Sequence, residues 1–377
     1  MNFQFDKKTN NFIKIILKNA LSQQIRVFFV GGIVRDKLLN MPTLDIDLLI
    51  LGNAIEFSKT LPKEIKIKSF HEDFCTVKLQ YEDIEIDIAS SRVESYPFSG
   101  CLPVVEEIGV KLEKDVLRRD FAINSLYCEL GLFEDKISYK LIDLVHGLDD
   151  IKEKKLRVLH NNSYIDDPTR IIRGLGFKYR FGFDFSCYDK ELIEKYFQNV
   201  AYSNMSIDRN KKIIKQVLNS SFQQEIFKEL VEKKYYKIIN NKEISVNFEL
   251  ISKIFDDFCL DMMIMSELYL KILLDEQVLP IKTDDFLNIY KTFSKMYELD
   301  LAYYFYKTQD LNVLKFLEIK DIKLIANGDD LIKLGYIQGQ QIGLILNSLL
   351  KDKLENPEKF ESKADEIEWI LKKFPQK

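Results

Sequence analysis

Two aspartates one residue apart, Asp45 and Asp47, close the segment FFVGGIVRDKLLNMPTLDIDLLI (28–50), which opens on an apolar strand and a Gly31-Gly32 turn. Strand side chains alternate, so the two carboxylates share one face while Ile46 and Leu48 take the other. Adjacent carboxylates repel and call for a cation between them. A pair of Mg²⁺ ions suits hard oxygen donors and assists phosphoryl chemistry. Exposed aspartates on a strand edge are the plain alternative, but the glycines upstream favour the metal. Glycine lets backbone N–H groups at a helix N-terminus approach a phosphate. The third carboxylate is expected from a neighbouring strand as Asp87, with Glu85 on the same face as its rival. A phosphate cradle followed by a metal strand reads as nucleotidyl transfer.

Two further groups of polar residues fit that chemistry. RRDFAINSLY (118–127) sets Arg119, Asp120 and Asn124 in an apolar setting read as a helix, with Asp120 and Asn124 four apart on one face. Arginine neutralises a triphosphate, and Asp or Asn hydrogen-bonds a ribose hydroxyl; a helix-surface salt bridge is the bland reading. In IDDPTRIIRGLGFKYRFGF (165–183), Pro168 suits a first helical turn, capped by Asp166 or Asp167. Asp167, Arg170 and Arg173 then share a face. A carboxylate beside a guanidinium matches the amino group and bare ring nitrogen of cytosine and adenine, and leaves uracil and guanine unpaired. An N-cap with an intrahelical ion pair would produce the same letters.

The elements that must hold these residues are mixed at first and helical later. Asn10 to Leu21 has helical apolar spacing, Arg26 to Val30 is a short strand, and Gly32 to Asn40 fits a helix. Leu44 to Leu51 is the aspartate strand, followed by strands at Glu64 to Lys68, Cys75 to Leu79 and Ile84 to Ile88. Tyr96 to Val105 reads as a loop. From Glu113 the periodicity turns helical to the C-terminus, apart from a strand near Lys140 to Leu144. The chain of 377 residues, 46% hydrophobic and 30% charged, is ordinary for a globular protein of more than one unit. Five cysteines without CxxC spacing and only three histidines argue against a disulfide framework or a zinc site and fit a reducing cytosol. No apolar run approaches a membrane span, and the N-terminus lacks a signal-peptide pattern. A net charge of −4 argues against non-specific coating of nucleic acid. Basic residues nevertheless cluster at 152–157, 170–180, 209–215 and 233–242, where an RNA contact is expected.

GGIVRDKLL, DID, RRDFAINSL, GLDDIKEKKLRVLH and DDPTRIIR stand in the order and spacing of the class II tRNA nucleotidyltransferase and bacterial poly(A) polymerase superfamily, which the chain closely resembles over roughly 25–185. The resemblance implies an α+β protein: a nucleotidyltransferase head with a small mixed β-sheet (1–130), then an all-helical neck for base selection (131–200), body (201–310) and tail (311–377), the last two binding tRNA. It implies two Mg²⁺ ions held by Asp45, Asp47 and Asp87. Gly31, Gly32 and Arg35, helped by Arg119, would hold the triphosphate; Asp120 and Asn124 would contact the ribose; Asp167 and Arg170, supported by Arg173, would select the base without a nucleic-acid template.

LLILGNAIEFSKTL after the D-x-D strand, and a tail NGDDLIKLGYIQGQQIGLILNSLL (327–350), resemble the tRNA branch. A complete loop at Ser91 to Glu106 implies addition of the terminal A, alone or as part of the whole CCA, with ATP and, for a full CCA enzyme, CTP as substrates. A poly(A) polymerase and a CC-adding enzyme are the alternatives. The partners implied are the tRNA 3′ end and acceptor arm, without membrane or DNA, with a companion CC-adding enzyme if only A is added, in the cytoplasm. Three departures stand out. HERFGT reads HEDFCT, with Asp73 and Cys75; RxxRxxRF reads RIIRGLGF, with Gly176 for the third arginine; and ERI-x-x-E survives only as SIDRNKKIIK, with Arg209 retained.

Overall fold

The computed structural model describes residues 3–42, 45–199, 207–282 and 285–376. Contacts divide the chain into two compact units, Met1–Asn241 and Lys242–Lys377.

The first unit is built on a seven-stranded mixed sheet. Its elements begin with α1 (Lys7–Ser22), β1 (Val27–Val30), α2 (Gly32–Leu38), β2 (Asp47–Ile50), α3 (Ala54–Lys59), β3 (Lys66–His71), β4 (Thr76–Tyr81) and β5 (Ile84–Ser90). A two-stranded ribbon, β6 (Arg92–Ser95) and β7 (Val104–Ile108), leads through the short α4 (Leu112–Asp115) to the hairpin β8 (Tyr127–Phe133) and β9 (Lys136–Ile142). The order across the sheet is β3-β4-β5-β2-β1-β8-β9. Strands β2 and β5 run parallel and the other neighbours antiparallel.

Central β1 is buried throughout, so its sequence VFFV is apolar on both faces. One face packs Val27, Phe29, Leu48 and Ile50 against Phe12, Ile13, Ile16 and Leu17 of α1. That helix starts where Asp6 accepts a hydrogen bond from the Thr9 N–H at 2.8 Å. The other face packs Phe28 and Leu49 against Val116 and Tyr127. Asp47 alternates with Leu48 and so falls on that second face.

Several expectations need correction. Only Asp47 lies within β2; Asp45 precedes it, and Leu44 lies outside the described residues. RRDFAINSLY is not a helix: 3₁₀ turns at Val116–Arg118 and Ala122–Asn124 flank an extended Arg119. The strand expected near Lys140 to Leu144 is β9, beginning earlier at Lys136, and its partner β8 falls where helix was expected; Ile137, Tyr139 and Leu141 alternate onto the sheet core.

Beyond the sheet come α5 (Gly147–Glu153), α6 (Ser163–Asp166), α7 (Thr169–Phe181), α8 (Cys187–Asn199), α9 (Ile207–Leu218) and α10 (Gln223–Glu232). Helix α7 begins after Pro168 and ends at Gly182, whose φ of 66° is left-handed. The Ser206 that opens the partial SIDR motif lies outside the described residues. The second unit is helical, from Phe248–Phe258 to Lys363–Lys373, and buries a Lys353–Glu366 ion pair at 2.6 Å. No helix among the described residues is long and apolar enough to cross a membrane.

Candidate active site

Parallel pairing of β2 with β5 sets Asp47 opposite Asp87. Glu85, two residues away, is exposed and ion-paired with Lys68, which favours Asp87 as the partner carboxylate. Burial, then the charges of Asp87 and Asp45, push the Asp47 carboxyl up to about 6. Lys78 Nζ sits 2.9 Å from Asp87 Oδ2 and offsets part of this repulsion. No cluster of three potential metal ligands forms among the described residues. The donor set still suits a hard divalent cation: crowded carboxylates of which one resists ionising until a positive charge arrives.

A cavity of about 400 Å³ opens beside Asp47. It is lined by seven arginines (35, 92, 118, 119, 170, 173, 209) and four carboxylates (Asp47, Glu94, Asp120, Asp167), with Asp36 and Asp115 pairing to Arg35, Arg118 and Arg119 from behind. Gly31, Gly32 and Asn124 also face it, so the cavity gathers every expected site residue except Asp45 and Asp87. Gly31 takes φ 68°, ψ −130°, a conformation open to glycine.

Buried Asp115, absent from the sequence-based assignment, organises the arginines. Its Oδ1 accepts from the Arg92 N–H (3.0 Å) and Arg118 Nε (2.9 Å). Its Oδ2 accepts from Arg119 Nε (3.0 Å) and Nη2 (2.9 Å) and from the Tyr127 hydroxyl (2.9 Å). Burial would raise this carboxyl, but the Arg119 and Arg118 charges outweigh it and hold the group at about 2. Its spacing to Arg118 and Arg119, three and four residues, was the available sequence signal.

Arg35 is more internal than a phosphate ligand would be. Its Nη1 donates to Asn124 Oδ1 at 2.5 Å, its Nη2 lies 2.6 Å from Asp36 Oδ1, and Phe177 and Phe181 flank it at 5.2 and 4.6 Å. Asp120 accepts from the Phe121 N–H (2.7 Å) and Asn124 Nδ2 (3.1 Å), while Arg173 Nη2 lies 2.5 Å from its other oxygen, outside hydrogen-bond geometry. Burial would raise the Asp120 carboxyl; Arg173 and these hydrogen bonds hold it below the usual value.

Asp167 and Arg170 meet in the cavity, yet both already have partners. Asp167 Oδ1 accepts from Thr169 N–H and Oγ1, and Oδ2 accepts from Arg209 Nη2 at 2.9 Å. Arg170 donates to Ser163 Oγ, to the Arg118 carbonyl at 3.0 Å and to the Tyr96 hydroxyl at 3.4 Å. Arg209 also donates to the Gly100 and Cys101 carbonyls, tying the loop between β6 and β7 to Asp167. Arg92, Glu94, Arg118 and Arg209 are cavity residues that the sequence reading did not assign; for Arg209 the surviving motif fragment was the clue.

A sheet presenting paired aspartates beside an arginine-lined cavity is an arrangement suited to nucleotidyl transfer. Residues 27–157 match the Poly A polymerase head domain. An A-adding tRNA nucleotidyltransferase of Geobacter sulfurreducens is 36% identical over 197 residues, 52% of this chain and 22% of that protein. Among three such A-adding relatives the matched share is 22%, 42% and 20% of their own length, less than half in each. The apo form II structure of a CCA-adding enzyme superposes with a TM-score of 0.74 at 22% identity, over 98% of this chain and 97% of the other. A tRNA nucleotidyltransferase complexed with a primer tRNA and an incoming ATP analog gives 0.60 at 26% identity, over 95% and 98%. Residues 27–157 are thus a Poly A polymerase head domain, and the chain is similar over about half its length to A-adding tRNA nucleotidyltransferases.

Proposed function

We propose that the protein completes tRNA 3′ ends, transferring AMP from ATP to the terminal hydroxyl without a nucleic-acid template, as the last step of CCA addition or as the whole of an A-adding activity. The observation that carries this reading is the arginine-lined cavity beside Asp47 and Asp87, in which guanidinium groups still outnumber carboxylates once Asp36 and Asp115 are counted. A nucleoside triphosphate is the polyanion it suits, and an excess of guanidinium in a water-poor site stabilises charge developing on phosphate oxygens.

In the reaction the acceptor 3′-hydroxyl gives up its proton to solvent, its oxygen bonds to the α-phosphorus, the α–β phosphoanhydride breaks and pyrophosphate leaves. Arg118 and Arg119, held by Asp115, face the triphosphate. Asn124 and Asp120 receive the ribose hydroxyls. Asp167 and Arg170 read the adenine edge, with Arg209 giving up part of its hold on Asp167. Asp45, Asp47 and Asp87 would hold Mg²⁺, which supplies activation of the attacking hydroxyl and charge neutralisation at the leaving group. Residues 201–377 are the proposed tRNA-binding part, in the cytoplasm where tRNA is matured.

Relatives named A-adding and CCA-adding support the substrate, as does a neighbour that carries primer tRNA and an ATP analog. Radiolabelled ATP and a CC-ending tRNA test the reading: one AMP per tRNA supports it. Long adenylate tails on unrelated RNA favour a poly(A) polymerase instead, and CTP incorporation alone a CC-adding enzyme.

A further inference from the structure

A groove of about 360 Å³ adjoins the nucleotide cavity and shares Arg173 and Phe177 with it. Its walls are α7 and α9, and its lining contains no acidic side chain. The floor is bare because Gly176 lies where the helices meet closely: a Cβ there would stand 3.3 Å from both Val217 methyls. Arg173 and Arg180, two turns apart on α7, lie on one side of that helix. Their side chains are 44% and 48% exposed.

The charge at Arg180 is incompletely balanced. Its Nη2 is 3.4 Å from Asp36 Oδ2, but the same carboxylate already pairs with Arg35 at 2.6 Å. One carboxylate thus stands between two guanidinium groups. Phe177 gives the groove an aromatic surface, and exposed Gln216 and Asn219 bring amide donors and acceptors to its rim. Cationic groups for a phosphate, an aromatic face for a base and amides for a base edge are what a single-stranded nucleotide requires.

We propose that this groove seats the last nucleotide of the acceptor RNA, with Arg180 on its phosphate and Gln216 on its base edge. The inference rests on the nucleotidyl-transfer reading and deepens it. Continuity through Arg173 and Phe177 brings the acceptor 3′ end to the cavity that holds the donor.

Steady-state kinetics on the full chain test this, with CC-ending and UU-ending tRNA as acceptors and ATP as donor. Arg180→Gln is expected to raise the KM for CC-ending tRNA about tenfold, leave the KM for ATP within about twofold, and make the log–log salt dependence of RNA affinity shallower by about one. Gln216→Ala, at an exposed position, is expected to lower the preference for CC over UU ends about tenfold. Unchanged acceptor KM and end preference in both variants, or a KM for ATP that rises in parallel, overturns the groove assignment alone. A wild-type protein that transfers nothing to tRNA overturns the functional reading and the groove with it.

Discussion

Asp115→Asn removes one negative charge from a site where a single buried carboxylate accepts five hydrogen bonds, three of them from the Arg118 and Arg119 side chains. The Asp115 carboxyl is held at about 2 against an ordinary 3.8, a difference worth about 2.5 kcal/mol. The amide also leaves guanidinium groups buried without their counter-charge, so the total loss at neutral pH should reach ~3–5 kcal/mol. The sign follows from linkage. A depressed carboxyl stabilises fully above its unfolded pKa of 3.8 and loses that contribution as pH falls through about 2. Between pH 7 and about pH 3 the contribution drops from roughly 2.4 to roughly 1.3 kcal/mol, so the gap between wild type and variant should narrow by about 1 kcal/mol. Urea unfolding followed by far-UV circular dichroism at the two pH values measures this. Trp369, the single tryptophan, reports the second unit separately by its fluorescence. A gap below about 1 kcal/mol at neutral pH, or one that does not change with pH, refutes the role given to Asp115.

Four other outcomes are expected. Asp47→Ala should lower nucleotide transfer at least about a thousandfold while tRNA affinity stays within about twofold, measured by filter binding beside the transfer assay; near-normal transfer would remove Asp47 from the site. Arg170→Lys keeps the charge but loses the planar fork, so discrimination of ATP against GTP should fall about tenfold in competition kinetics, and unchanged rejection of GTP contradicts base reading by Arg170. Cys75 sits at φ 47°, ψ 50°, so Cys75→Gly should leave stability equal or raise it by up to ~1 kcal/mol in urea titration. In the second unit, Glu366→Gln should cost ~3–5 kcal/mol by Trp369 fluorescence, because Lys353 then lies buried without a counter-charge; the Lys353→Met, Glu366→Gln double variant, which removes that cation and keeps an acceptor for the Ile325 and Ala326 N–H groups, should recover most of it, and failure to do so means the pair is not what the single variant lost.

What could be read beforehand was what local spacing encodes. The Gly31 turn and the shared face of Glu85 and Asp87 follow from strand periodicity, and β-sheet register then set Asp87 against Asp47. Cys75 stands where the related motif has glycine, and the backbone there is left-handed. Misread elements are those in which polar side chains bond to backbone. Asp120 accepts from the next residue's N–H, which stabilises an extended turn, while a four-residue polar spacing suggested a helix. The strand near Lys140 to Leu144 was read late by four residues, although the Ile137, Tyr139, Leu141 alternation marks its start, and its partner β8 was read as helix. The fate of Arg35 was not legible, because Phe177 and Phe181, which flank it, are far away in sequence. Asp115 was half legible: its spacing to Arg118 and Arg119 is local, but Arg92 and Tyr127 reach it through the fold.

Completion of tRNA ends by a single A can be observed in one experiment. Purified protein with Mg²⁺, ATP and CTP is given two tRNAs, one ending before CCA and one ending in CC, and products are resolved at nucleotide resolution. The CC-ending tRNA should gain one A and stop; extension of the shorter tRNA to CCA as well identifies a full CCA-adding enzyme, and its failure to extend an A-adding one. No A on the CC-ending tRNA, or a tail of many adenylates, contradicts the proposed function.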